Sequence, residues 1–278
     1  MKILITGIYG FLGSHLAEKL LLNHTIAGLY NTEKQMAFNS NVLCFNKLEL
    51  IDIVPDIIIM CHAAVSSGII NVDRSRLCET NIKFTKKIVE KFPNSKCVYI
   101  SSVSIFGNKN EIINEQSLDN PETEYAFSKL LGEKEINQNS NSIIIRFSSL
   151  YGNGMKENTL IPNYCNQALK SQAIEVWGDG RRFQNYIHIS DAISLIEAAI
   201  ECKTEINFPL LGVSSKEYSN VEVATVISGL TNSVINYINK DDSPSFYYNN
   251  ERTQKILNWQ SEIELENGLK QYLEWKKK

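Results

Sequence analysis

The stretch ETEYAFSKLLGEK, residues 122–134, sets Tyr125 four positions before Lys129. On a helix that spacing puts both side chains on one face, one turn apart. Two readings are open: an ordinary solvated helix start, or a phenol held beside a cation so that it can move protons. An unperturbed tyrosine titrates near about 10 and is a poor base at neutral pH; lowering that value by about three units takes roughly 4 kcal/mol. A cation at about 4 Å, in an effective dielectric of about 20, supplies an energy of that size. Lys129 is spaced to be that cation. The pattern recurs by chance, so a cofactor and a partner hydroxyl have to come from elsewhere in the chain.

A second constellation is TGIYGFLGSHL, with Gly7, Gly10 and Gly13 between a strand-like KILIT and a helix-like FLGSHLAEKLLL. Gly7 permits a tight turn, Gly10 lets a pyrophosphate approach the backbone, and Gly13 lets helix and strand pack closely. The helix N-terminus faces the anion. A glycine triplet alone is weak evidence, but this one follows a strand and opens an amphipathic helix, the context a dinucleotide site needs.

These residues need a scaffold, and 278 residues can bury one large core, or one core plus a smaller lobe. The first half alternates strands (KILIT, TIAGLY, NVLCF, PDIIIMCHAA, KCVYISS, SIIIRFSS) with helices at 11–22, about 74–91 and around Tyr125. Continuous apolar runs imply strands covered on both faces, and helical crossovers imply a parallel sheet. The expected fold is α/β: a Rossmann-type, doubly wound parallel sheet with a smaller C-terminal lobe. The expected division is a dinucleotide-binding domain over 1–150, with 185–203 returning to it, and a substrate lobe over 151–278. Helices are expected at LIPNYCNQALKSQ, at SDAISLIEAAIECK and around 220–230 and 264–276, with AIEVWGDGRRFQNYIHIS as loop and short strand.

A composition of 43% apolar and 21% charged residues, with a formal charge of −3 and a pI near 5.9, gives no broad field for nucleic acid or an anionic membrane. The lysines of the terminal EWKKK read as a solubilising end. Only Met1 and Lys2 precede the first strand, which leaves no room for a signal peptide, and IIIMCHAAV is too short to span a bilayer. Cysteines 44, 61, 78, 97, 165 and 202 show no C-x-x-C spacing, so the expectation is a soluble, cytoplasmic protein with reduced thiols and no metal site.

The G-x-x-G-x-x-G spacing with Phe11 after its second glycine, CHAAV (61–65), Asn81 in TNIKFTKKIVE, ISSVSIFG and NEQSLDNPETEYAFSK together resemble the extended short-chain dehydrogenase/reductase family, which includes the NAD-dependent epimerases and dehydratases of nucleotide sugars. RFSSLYG, VWGDG…YIHISD and ILNWQSEIELENGL extend the resemblance through most of the chain. It implies a site in which Ser102 orients a carbonyl or hydroxyl, Tyr125 is the general acid/base, Lys129 also holds the nicotinamide ribose, and nicotinamide exchanges hydride. It further implies cofactor contacts from Gly7, Gly10, Phe11, Leu12, Gly13 and Ala63, and a homodimer built by the helices at 74–91 and 125–138. His62 and His188 fall in matching segments and are read as structural.

The sequence departs from that family in three places. The Asp-Glu pair that its dehydratases carry after the catalytic Ser/Thr is Val103-Ser104 here, which sets dehydration aside. The acid expected after the second strand is replaced by Tyr30-Asn31, with Lys34 nearby, which tilts the cofactor expectation to NADP(H) over NAD(H), with Glu33 as the residue that could reverse it. The family's diphosphate contacts are replaced by Ser149 and Gln184, with Arg181 and Arg182 close by. The expected activity is therefore a nucleotide-sugar 4-keto reductase, with a 4-epimerase as the alternative and a non-catalytic NAD(P)-sensing protein a distant third. The expected substrate is a nucleotide diphosphate sugar.

Overall fold

The computed structural model describes residues 1–32, 42–65, 72–109, 111–137 and 141–278. Strand β1 (Lys2–Thr6) shows why the apolar runs are continuous: Ile3 and Ile5 bury into one face of the sheet and Leu4 into the other. It leads through the glycine turn into α1 (Phe11–Leu20), then β2 (Thr25–Leu29), β3 (Leu43–Phe45) and β4 (Ile57–Met60). The helical stretch that follows comes in three pieces: α2 (Arg74–Leu77), a π-helical segment (Cys78–Lys83) and α3 (Phe84–Lys91). Sequence reading gave one plain helix here. The wider π turn aims Asn81 inward, where its side chain bonds Ala64 N (2.8 Å), Ala64 O (3.0 Å) and Ser128 Oγ (2.8 Å). Strand β5 (Lys96–Ser102), helix α4 (Glu124–Ile136) and strand β6 (Ser142–Phe147) complete the first half.

The second half contributes β7 (Ser149–Tyr151), α5 (Leu160–Ser171), β8 (Ala173–Trp177), β9 (Phe183–His188), α6 (Ile189–Glu201), β10 (Leu210–Gly212), β11 (Glu217–Ser219), α7 (Asn220–Thr231), β12 (Val234–Ile238), α8 (Glu251–Leu257) and α9 (Leu265–Lys276). Among the described residues, a parallel seven-stranded sheet runs β10-β6-β5-β4-β1-β2-β3. This is the doubly wound, Rossmann-type fold. Strand order reverses between β1 and β4, so the crevice outside their carboxyl ends is where such sheets bind ligands.

One face of the sheet is covered by α1 and α6 around Leu16, Leu195 and Ile196. The other is covered by Ile88, Phe92 and Ile136. Beyond residue 203, strand β10 and the side chains of Leu257 and Trp259 also join this large unit. A second core gathers Tyr164, Val176, Val223, Leu269 and Tyr272. Two small sheets accompany it, β11-β9-β7 and β12-β8. Among the described residues no helix is long and apolar enough to cross a membrane, and the six cysteines carry no disulfide.

Candidate functional site

The glycine turn lies at the carboxyl end of β1, against the end of β4. Gly7 has φ +67°, and a Cβ there would sit 3.0 Å from His62 N. A Cβ on Gly13 would come within 2.3 Å of Gly7 O, so only glycine lets α1 start this close to the strand. Gly10 is the N-cap of α1, and no side chain caps the helix start, which leaves its N–H groups to face an anion. Phe11 opens the helix with its ring edge-on to His15, and Leu12 turns its side chain into the core, so Leu12 can meet a cofactor only through its backbone. Ala63 is exposed just past β4. The tight, side-chain-poor turn, the uncapped helix start and the switch point fit a dinucleotide. At the end of β2, the Tyr30 ring packs at a tilt against Tyr9 of the glycine turn, centroids 5.0 Å apart, and Asn31 follows it exposed. Lys34 and Glu33 lie outside the described residues.

Ser102 ends β5, one strand over from β4, and its Oγ accepts from Ser104 N at 3.2 Å. Tyr125 stands in the first turn of α4, whose N-cap Thr123 accepts from Ala126 N. Its phenol lies beside Ser102. Burial of the hydroxyl pushes the Tyr125 pKa up to about 12, while the Ser102 hydroxyl acts to lower it. This corrects the expectation that Lys129 drags the phenol down. Lys129 is 1% exposed; its Nζ donates to Ile100 O at 2.7 Å and lies 4.0 Å above the Tyr99 ring. An ammonium taken out of water needs partners, and the nearest lie on β5, beneath α4. Burial lowers the Lys129 pKa to about 7, against the upward pull of Glu133 and Cys61.

Glu133, one turn further along α4, accepts from Ser101 Oγ and forms a bidentate pair with Arg146 of β6, whose Nη1 also reaches Asp119 at 2.6 Å. This buried strut fixes α4 against the sheet and so fixes where Tyr125 and Lys129 stand. Sequence reading missed it, because a Glu eight residues after a Tyr carries no local signal. His62 sits between Thr6 Oγ1 (2.6 Å) and Thr85 Oγ1 (3.1 Å), and burial holds its pKa down to about 3. His188 caps α6 by accepting from Ser190 N, with burial lowering its pKa to about 4. Both are neutral structural groups.

A cleft of about 330 Å³ opens beside Ser102, lined also by Ser104, Ser148, Ser149 and Gln184, with Phe246 and Tyr248 on its far side. Gln184 is already committed, donating to Tyr186 Oη and Asn220 Oδ1. The structure does not bring Arg181 and Arg182 into this cleft. Arg181 pairs with Asp179 at 3.2 Å and borders a separate, open depression with Tyr237 and Lys240; Arg182 Nε donates to Pro244 O. Phe246 and Tyr248 were not singled out in the sequence. The loop carrying them is held by Ile113 N to Tyr247 O and by Phe246 N to Phe183 O, contacts distant in sequence and without periodicity.

A family model described as the NAD dependent epimerase/dehydratase family matches residues 3–208. A Methanocaldococcus jannaschii protein named as a putative UDP-glucose 4-epimerase is 26% identical over 303 residues, spanning 99% of this chain and 98% of that one. A dTDP-D-glucose 4,6-dehydratase of Dictyostelium discoideum is 28% identical over 270 residues, spanning 83% of this chain but only 62% of that protein. Among solved structures, a UDP-glucuronic acid 4-epimerase from Bacillus cereus in complex with NAD superposes with a TM-score of 0.86 at 21% identity, covering 100% of this chain and 99% of that one. A UDP-glucose 4-epimerase from Thermotoga maritima gives 0.87 at 19% identity, with the same coverage. At these identities the structural likeness speaks for the fold.

Proposed function

The chain belongs to the NAD dependent epimerase/dehydratase family, and on that premise we propose that it is a nucleotide-sugar 4-epimerase that works with NAD. The observation that carries the reading is the half-buried Tyr125 phenol beside Ser102, which lines a sugar-sized cleft, with Val103 and Ser104 rather than an acid pair in the two positions after that serine. Ser102 orients the C4 oxygen of the sugar, and Tyr125, once ionised beside the positive charge of an oxidised nicotinamide, would take the proton from that hydroxyl and later give it back. Lys129, one turn on, would hold the nicotinamide ribose once its amine turns from Ile100 O. Bound NAD supplies reversible hydride acceptance at C4. The sugar turns its other face while it is a ketone, so no net oxidation occurs. Ser149 and Gln184 line the way to the diphosphate.

The whole-length relative bears a 4-epimerase name, and several of the solved neighbours are complexes with NAD; these support epimerase over 4-keto reductase and NAD over NADP. The reductase reading rests on the absent acid at Tyr30-Asn31 and on a 22% identical relative named as a dTDP-4-dehydro-6-deoxy-D-allose reductase. Incubating the protein with NAD and UDP-glucose should produce the C4 epimer, UDP-galactose, with no net NADH. NADPH consumed in step with reduction of a 4-keto nucleotide sugar, with no epimer formed, would favour the reductase. We also propose a homodimer through the 74–91 helical stretch and α4, on which Phe127 is exposed; a light-scattering mass of a single chain would refute it.

A further inference from the structure

We propose that the sugar subsite accepts only an uncharged hexose and rejects a uronic acid, with Glu122 and Ser104 as the specificity determinants; this rests on the nucleotide-sugar reading above. Glu122 is the charged residue among those that line the described cleft. Its carboxylate is fixed at the rim, accepting from Asn108 N at 3.1 Å and Asn120 Nδ2 at 3.3 Å. No lysine or arginine is among the described residues that line the cleft. Lys129 is turned to Ile100 O, Arg146 to Glu133 and Asp119, Arg181 to Asp179, and Arg182 to Pro244 O.

A carboxylate at C6 of the sugar would thus enter a cleft whose fixed charge has its own sign and whose other polar side chains are neutral hydroxyls and amides. A hydroxymethyl group meets no such repulsion and can donate as well as accept. Ser104 Oγ supplies the complementary group: it is buried, has no hydrogen-bond partner, and belongs to a residue lining the cleft. A buried hydroxyl without a partner costs free energy until something bonds it, which favours a ligand hydroxyl there. The protein would then differ in substrate from its structural neighbours that bind UDP-glucuronic acid.

Titration calorimetry of the NAD-loaded full chain with UDP-glucose and with UDP-glucuronate tests this. Both ligands carry the same diphosphate, so that contribution cancels in the ratio. UDP-glucose should bind about tenfold more tightly, and the gap should narrow in high salt. Glu122→Gln should tighten UDP-glucuronate about fivefold and leave UDP-glucose within about twofold, the size expected for a rim charge. Ser104→Ala should weaken UDP-glucose several-fold. Equal or reversed wild-type affinities, or an unchanged ratio in Glu122→Gln, would overturn the charge assignment alone. If neither ligand binds, the nucleotide-sugar reading falls and this inference with it.

Discussion

Tyr125 and Lys129 share one helical face, yet the lysine does not sharpen the phenol in the way their spacing suggested. The i, i+4 relation fixes direction along the helix but not where a long, flexible side chain finds its partners. Here the amine reaches down to Ile100 O, and burial dominates both titrations. Two outcomes follow. Tyr125→Phe should keep NAD affinity while turnover of a UDP-hexose falls by at least about a hundredfold, as expected when the acid/base is removed; steady-state assay beside cofactor titration checks this. Lys129 gives a pH signature in stability. Its folded pKa lies near 7, below the unfolded value, so at higher pH the unfolded chain holds a proton that the folded chain has lost. Its contribution makes stability rise with pH from about 7, by up to about 1.4 kcal/mol per unit. Denaturant melts of Lys129→Met against wild type at pH 7, 8 and 9 should show that slope in wild type and its loss in the variant. Ser102, Tyr125 and Lys129 were legible as types and spacing; the direction of their pKa shifts was not, because it depends on groups from β4, β5 and the far end of α4.

Among the elements, β1, β2, β4, β5 and β6 announced themselves as apolar runs because both of their faces are covered. The three-residue strands β7, β10 and β11 did not, since so short a segment has no period to read and exists only through its pairing. Strand β12 went unread because its residues are exposed or half-buried, and it is defined by its ladder with β8. The junction of β1 and α1 was legible, and its tolerance can be measured. Gly13→Ala places a methyl 2.3 Å from Gly7 O, which lies in backbone and cannot swing away. Thermal unfolding should reveal a loss of about 1 to 3 kcal/mol, and fluorescence titration should reveal NAD affinity reduced at least tenfold, as the turn opens.

The molecule as a whole is stitched together by its C-terminal segment. Asp191 of α6 accepts from Glu262 N and Ile263 N, Trp259 Nε1 donates to Ser194 Oγ, and Glu115 holds the start of α8 through Thr253. Leu257 and Trp259 enter the main core, while Leu265, Leu269, Tyr272 and Leu273 enter the second. Full burial of a large apolar side chain is worth about 1.5–3 kcal/mol, and domains are stable by only about 5–15 kcal/mol. Ending the chain at residue 250 should therefore abolish cooperative unfolding by calorimetry, although the family match stops at residue 208.

The sequence by itself determined the sheet and the glycine turn, because apolar periodicity and glycine's freedom act over a few neighbouring residues, and it singled out Ser102, Tyr125 and Lys129 by spacing and family resemblance. Only the tertiary structure decided what surrounds them: that Lys129 faces β5, that Arg181 and Arg182 stay out of the cleft, and that Glu122 sets its charge. Those outcomes depend on groups brought together from distant parts of the chain, and burial and charge pairing are settled only where such groups meet.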